Sequence, residues 1–144
     1  MLDSILYISE NRLRRQSDED QLAHIQYVSV SRNSLYDITG VLIATPDHFA
    51  QFMEGDVRGL DAVMNSIRAD PRHTRIVMAD TPPSRERLFP NWRMARFGPG
   101  AFVNDHVRPL VERRKGRLTP NGARELITLM RRMVSDFRVR PPWL

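Results

Sequence analysis

The stretch Ile38–Glu54, ITGVLIATPDHFAQFME, constrains this fold more than any other part of the chain. It holds two strand-like runs, Ile38–Ala44 and His48–Glu54, separated only by Thr45-Pro46-Asp47. The first run is rich in β-branched residues, and the second alternates around a glutamine. Three turn residues leave no length for a crossover connection, so the two strands are expected to pair as an antiparallel hairpin.

Reading outward from the hairpin gives the remaining elements. Ser4–Ser9 (SILYIS) is a short run bounded by polar residues and reads as strand one, with Leu6 and Ile8 on one face and Ile5, Tyr7 and Ser9 on the other. Acidic residues after Ser17 mark a helix start, and Leu22, Ile25, Val28 and Ser29 continue at helical spacing to about Asn33. After the hairpin, Leu60, Val63, Met64 and Ile67 form a helical stripe over 57–69, stopped by Pro71. Thr74–Asp80 and Trp92–Phe97 read as strands four and five. The order β-α-β-β-α-β-β predicts an α+β, ferredoxin-like sandwich with an extra strand. Right-handed crossovers place both helices on one sheet face, with strand three between strands one and two. Gly98-Pro99-Gly100 closes this unit, giving a first segment of 1–100 and a helical extension of 101–144.

In that extension, a short helix is expected before Gly116, and Thr119-Pro120 is a strong helix start. Ala123, Leu126, Ile127, Met130, Met133, Val134 and Phe137 follow as one apolar stripe opposite an Arg-rich face. The stripe needs cover, either from the sheet face bearing Leu6, Ile8 and Phe52 or from a second copy. The charge is uneven: residues 1–107 carry 12 Arg/Lys and 14 Asp/Glu, a balance of −2, whereas 108–144 carry 10 and 3, a balance of +7. A basic tail suits nucleic acid or an acidic partner, but a solvated helix face accounts for it more simply.

The chain has no cysteine, which excludes disulfides, thiolate nucleophiles, Cys-ligated metals and cysteinyl adducts. His24, His48, His73 and His106 lack metal-ligand spacing, and no phosphate-binding loop or nucleophile elbow is present. No apolar run approaches the roughly 20 residues that span a bilayer, and Asp3 interrupts any secretory signal, so a cytoplasmic protein is expected.

Gln51 is the informative polar residue. It shares a strand face with Phe49 and Met53, and a buried amide without partners costs about 1–3 kcal/mol. If strands one and three are neighbours, Tyr7 can meet it beneath the helices. A Tyr–Gln bond inside an ordinary core explains the same spacing, and Asn33 equally suits a helix terminus. Arg72 and His73, in Asp70-Pro71-Arg72-His73, suit a phosphate or solvent. Trp92 and Met94 suit packing.

Taken as an ordered set, these positions resemble the BLUF domain, a flavin-binding blue-light sensor. The matching stretches are ILYIS with Tyr7, RNSLYDITG with Asn33, HFAQFMEG with Gln51, IRADPRH with Ile67, Asp70, Arg72 and His73, and FPNWRM with Trp92 and Met94. The resemblance covers about residues 2–97. It implies that Tyr7 donates an electron and a proton to the excited flavin, while Gln51 bonds both and rearranges. It implies that Asn33 holds the polar ring edge, Ser29 faces the pocket, and Ile25 and Ile67 sandwich the ring. Asp70, Arg72 and His73 are then assigned to the ribityl and phosphate end, and Trp92 and Met94 to relay. The implied cofactor is FAD, with FMN or riboflavin as alternatives. Two positions depart from the family pattern: Arg32 stands where a smaller polar residue is common, and Ser66 where a long or basic one is common.

The expected function is non-covalent flavin photoreception without an enzyme activity, with output through a downstream protein and a homo-oligomer, and with neither membrane nor nucleic acid as partner. The residues leave two other classes open. One is a flavin-free binding module that uses the basic tail for nucleic acid or an acidic protein. The other is a small ferredoxin-like enzyme, which no catalytic constellation favours.

Overall fold

The computed structural model describes residues 1–13, 18–79, 81–98, 105, 108–114 and 118–137. Ser17, Asp80, Pro99, Gly100, His106 and Gly116, along with the Phe137 side chain, lie outside the described residues. The elements are β1 (Asp3–Asn11), α1 (Asp18–Leu35), β2 (Thr39–Ala44), β3 (His48–Gly55), α2 (Val57–Ala69), β4 (His73–Ala79), β5 (Ala95–Phe97), α3 (Arg108–Arg114) and α4 (Pro120–Phe137). They form an α+β fold around one five-stranded sheet of order β4-β1-β3-β2-β5. β3 lies between β1 and β2 and is antiparallel to both, and β5 joins the edge of β2 in parallel.

Alternation along the central strands divides the core in two. Leu6, Ile8, Val41, Ile43, Ala50 and Phe52 point to one face, where they pack with Leu126, Met130 and Met133 of α4. Tyr7, Leu42, Phe49 and Met53 point to the other, under Leu22 of α1 and Leu60, Val63 and Met64 of α2. The apolar stripe of α4 thus lies on the sheet face bearing Leu6, Ile8 and Phe52. Burying each large side chain of that stripe is worth about 1.5–3 kcal/mol. Thr119 caps α4, its Oγ1 accepting from the Gly122 N–H at 3.1 Å, with Pro120 in the first turn.

Gly40 explains the glycine of the ITG run. A Cβ there collides with the Phe52 carbonyl oxygen of the neighbouring strand, so only glycine permits this approach. Its N–H donates to the Trp92 carbonyl at 2.9 Å, which ties β2 to the segment that enters β5.

Two local expectations are corrected. α1 does not end at Asn33 but runs to Leu35, and the left-handed residue that turns the chain into β2 is Asp37, at φ 52°. Strand five does not start at Trp92, so Trp92 and Met94 lie outside it, because β5 begins only at Ala95. The reason is that the Arg93 and Met94 carbonyls are taken by side chains of α1. Asn33 Nδ2 donates to one at 2.7 Å and Gln26 Nε2 to the other at 3.1 Å, and the ladder with β2 starts only at Ala95. Trp92 accordingly packs on the α4 side of the sheet and Met94 on the α1/α2 side.

Candidate functional site

The β1–β3 register sets Tyr7 directly opposite Gln51, and both side chains stand on the face beneath α1 and α2. The Tyr7 hydroxyl donates to Gln51 Oε1. At the other end of the amide, Gln51 Nε2 donates to Met94 Sδ at 3.5 Å. The glutamine is therefore held between a phenol and a thioether, and its two partners fix which end is oxygen. Burial pushes the Tyr7 pKa well above its ordinary value of 10.0; the positive charge of Arg32 opposes this and Asp70 adds to it. The hydroxyl is consequently a proton-bearing donor throughout the physiological range.

Above this pair is a cleft, open to solvent at its mouth. Its α1 wall carries Ile25, Val28, Ser29 and Arg32, and its opposite wall carries Ile67, Asp70, Arg72 and His73. Tyr7, Gln51, Leu42 and Phe49 complete it from the sheet. Asn33 is fully buried beside the α1 wall, Met94 reaches the site through Gln51, and the Trp92 ring lies on the far side of the sheet. Leu42 and Phe49 follow from the strand alternation that places Tyr7 and Gln51. Gln26, which anchors the Met94 carbonyl, carries no signal in the sequence.

The polar groups of the far wall satisfy one another. Arg72 grips Asp70 with Nε at 2.9 Å and Nη2 at 2.7 Å, and its backbone N–H also donates to Asp70 Oδ1 at 2.9 Å. Burial acts to raise the Asp70 pKa, but the hydrogen bonds and charge of Arg72 overcome it and hold the carboxyl below the usual aspartate value. His73 Nε2 lies 2.6 Å from the Ile67 carbonyl, which can only accept, so that nitrogen bears the hydrogen. His73 Nδ1 meets Ser9 Oγ at 2.8 Å.

The α1 wall differs in leaving two buried polar atoms without a partner, Arg32 Nε and Asn33 Oδ1. Asn33 Nδ2 is committed to the Arg93 carbonyl at 2.7 Å, which fixes the amide and leaves its oxygen over. A donor and an acceptor thus stand unpaired at consecutive positions of α1. Orphaned buried groups of this kind call for a ligand or water.

The family model for BLUF, described as sensors of blue light using FAD, matches residues 2–95. This chain belongs to the BLUF family. It is similar to the photoactivated adenylate cyclase subunit alpha of Euglena gracilis, 29% identical over 93 residues that make up 65% of this chain and 9% of that protein. It is similar to the blue light- and temperature-regulated antirepressor BluF of Escherichia coli K12, 30% identical over 59% of this chain and 21% of that one. The chain thus spans only a small part of these relatives' length. Among solved structures it is similar to the dark state of BlrB, a BLUF protein (28% identity, TM-score 0.76), over 90% of this chain and 95% of that one. It is also similar to Klebsiella pneumoniae BlrP1 with FMN and cyclic diGMP (29% identity, TM-score 0.61), over 78% and 30% of the two chains.

A flavin fits the residues present. The pyrimidine edge of the isoalloxazine ring offers an N–H flanked by carbonyls, the complement of the unpaired Asn33 Oδ1 and Arg32 Nε–H. The apolar side chains of Ile25 and Ile67 suit the faces of a flat ring. Among the described residues no cluster of His, Asp and Glu is arranged to hold a metal ion, and no helix is long and apolar enough to cross a membrane.

Proposed function

We propose that this BLUF sensor registers light through the Tyr7–Gln51–Met94 triad and reports it as a change in protein contact at the 101–144 extension. The observation that carries the reading is the Gln51 amide, buried at the base of the cleft with a phenol on its oxygen and a thioether on its nitrogen. FAD, with FMN or riboflavin as substitutes, lies along the cleft. Its polar edge meets Asn33 and Arg32, its faces lie against Ile25 and Ile67, and Ser29 lines its side. The end bearing Asp70, Arg72 and His73 takes the ribityl–phosphate tail. When bound, the flavin supplies blue-light absorption and an excited ring that draws an electron.

Tyr7 is the adjacent donor, and its buried hydroxyl holds the proton that leaves with the electron. Losing that proton, even transiently, removes the donor that fixes the Gln51 oxygen. Rotating the amide by half a turn then presents N–H to Tyr7 and oxygen to Met94 Sδ. A thioether cannot donate to that oxygen, so the contact at Met94 is lost. Met94 is joined directly to β5, and Trp92, two residues earlier, packs in the α4 core, so the segment is placed to pass the change across the sheet. No covalent bond forms, which suits a chain without cysteine.

Residues 1–100 form the sensing unit and 101–144 the output extension, in a cytoplasmic, non-enzymatic homo-oligomer that signals to a downstream protein. Purified protein should be yellow, and blue light should shift the flavin band reversibly to the red. Gln51→Leu should keep the flavin and lose the shift. Colourless protein that takes up no flavin, or an unaltered shift in Gln51→Leu, overturns the reading.

A further inference from the structure

We propose that Arg32 is the electrostatic tuning residue of this site: its guanidinium lies against the bound flavin and favours the reduced, anionic cofactor over the oxidised one. The inference rests on the flavin site proposed above and adds to it a role for a residue outside the expected set. Arg32 stands on the cleft wall next to Asn33. Its Nε is buried without a hydrogen-bond partner, and among the described residues no ion pair with a carboxylate engages its guanidinium. Among the described residues that line the cleft, the one carboxylate, Asp70, is already gripped by Arg72. The α1 wall therefore presents a cation that, among the described residues, has no direct carboxylate partner, and Asp70 reaches it only through space.

The guanidinium keeps its charge at all working pH values. Burial nonetheless pushes its pKa down, with the nearby Tyr7 and Asp70 opposing, as expected for a cation short of acceptors. It lines the same cleft as Tyr7 and Gln51. An oxidised flavin ring is neutral and satisfies Arg32 with a carbonyl oxygen. Uptake of two electrons and one proton gives a reduced ring with one negative charge, and that charge is attracted to Arg32 across a partly desolvated cleft.

The test is reduction of the flavin-loaded protein by dithionite in the dark, against a reference dye of known potential, for wild type, Arg32→Gln and Arg32→Lys. Gln and Lys are both good helix formers, so α1 persists. Arg32→Gln should lower the preference for reduced over oxidised flavin at least tenfold, about 30 mV for a two-electron couple. Arg32→Lys should stay within about a third of that shift. Equal potentials in wild type and Arg32→Gln would overturn the inference while leaving the flavin site standing. A loss of affinity for FAD but not riboflavin, equal in both redox states, would also overturn it and assign Arg32 to the tail phosphates. Should Arg32→Gln lose its flavin, Arg32→Asn serves in the same comparison. Wild-type protein that binds no flavin at all would overturn the site reading, and this inference with it.

Discussion

Glu54 is the single acidic residue of HFAQFMEG, and its side chain does not face the cleft. It is 3% exposed, and its two oxygens accept from three donors. Leu88 N–H lies 2.8 Å from Oε1, while Phe89 N–H at 2.7 Å and Thr39 Oγ1 at 3.2 Å share Oε2. Glutamine has nearly the same shape but only one oxygen. Whichever way its amide sits, the NH₂ faces a backbone N–H of Leu88 or Phe89, and that donor is left buried and unpaired. An orphaned buried donor costs about 1–3 kcal/mol, and a hydrogen bond to a charged group contributes about 1.5–3 kcal/mol. Glu54→Gln is therefore expected to cost roughly 3 kcal/mol. In a chain of this size each kcal/mol moves Tm by about 2–4 °C, so a fall of roughly 6–12 °C is expected. Calorimetry in the dark measures it, and hydrogen exchange at the Leu88 and Phe89 amides localises it. A Tm within about 2 °C of wild type, with both amides still protected, would refute the reasoning. The consequence reaches the site, because the segment anchored at Leu88 and Phe89 leads directly to the Arg93 carbonyl on Asn33 and to Met94 on Gln51.

Tyr7→Phe should retain flavin and lose the light-induced red shift, read by difference absorption spectroscopy; a normal shift would exclude Tyr7 from the photochemistry. The raised Tyr7 pKa also predicts alkaline weakening. The unfolded phenol ionises near its ordinary 10.0 while the folded one does not, so this contribution is complete below that pH and is lost as pH rises above it. Tyr7→Phe should lose less stability than wild type between pH 9 and 11 in urea unfolding, values chosen to straddle about 10. Gly40→Ala should cost about 2–3 kcal/mol by the same measurement, since its methyl meets the Phe52 backbone, which cannot step aside as a side chain does. Met130→Ala, fully buried beneath the sheet, should cost about 2–5 kcal/mol yet leave the dark flavin spectrum unchanged; a displaced spectrum would show that the two sheet faces are not separable at rest.

Much of this architecture is legible in the sequence because it rests on short-range rules. The three-residue turn fixed the hairpin, period-two alternation put Tyr7 and Gln51 on one face, and Thr119-Pro120 marked the start of α4. What escaped depends on contacts between distant segments. Trp92-Arg93-Met94 has the alternation of a strand, but Asn33 and Gln26, about 60 residues earlier or more, claim its carbonyls. Arg32 stands out in the sequence only as a departure from a pattern. Its meaning depends on Asp70 being occupied by Arg72, which no spacing along the chain reveals. The same holds for Glu54, whose partners Leu88 and Phe89 lie in a loop with no regular pattern.

The two faces of the sheet are joined by the closest coupling a strand allows. Tyr7 lies between Leu6 and Ile8, and Gln51 between Ala50 and Phe52, so each photoactive candidate is one peptide bond from residues under α4. Trp92 and Met94 repeat the arrangement at the edge, one packed on each face, with the Trp92 carbonyl bonded to Gly40 of β2. A rearranged Gln51 side chain alone need not disturb the α4 core, because side-chain rotation leaves the backbone in place. Releasing Met94 is different. Its segment is held by side-chain bonds from Asn33 and Gln26, by the Trp92 carbonyl on the Gly40 N–H, and by the Arg93 guanidinium on Asp37 and the Ile38 carbonyl before the ladder begins at Ala95. Trp92 at the start of that stretch is embedded among the residues that α4 covers. On the proposed mechanism it is where a hydrogen-bond change becomes a packing change. Strengthening it should uncouple photochemistry from output: a variant that keeps its red shift but shows no light-dependent exchange in 120–137 would place the relay here. Light-dependent exchange confined to β1 and β3, with 92–97 unaffected, would route it through the central strands instead.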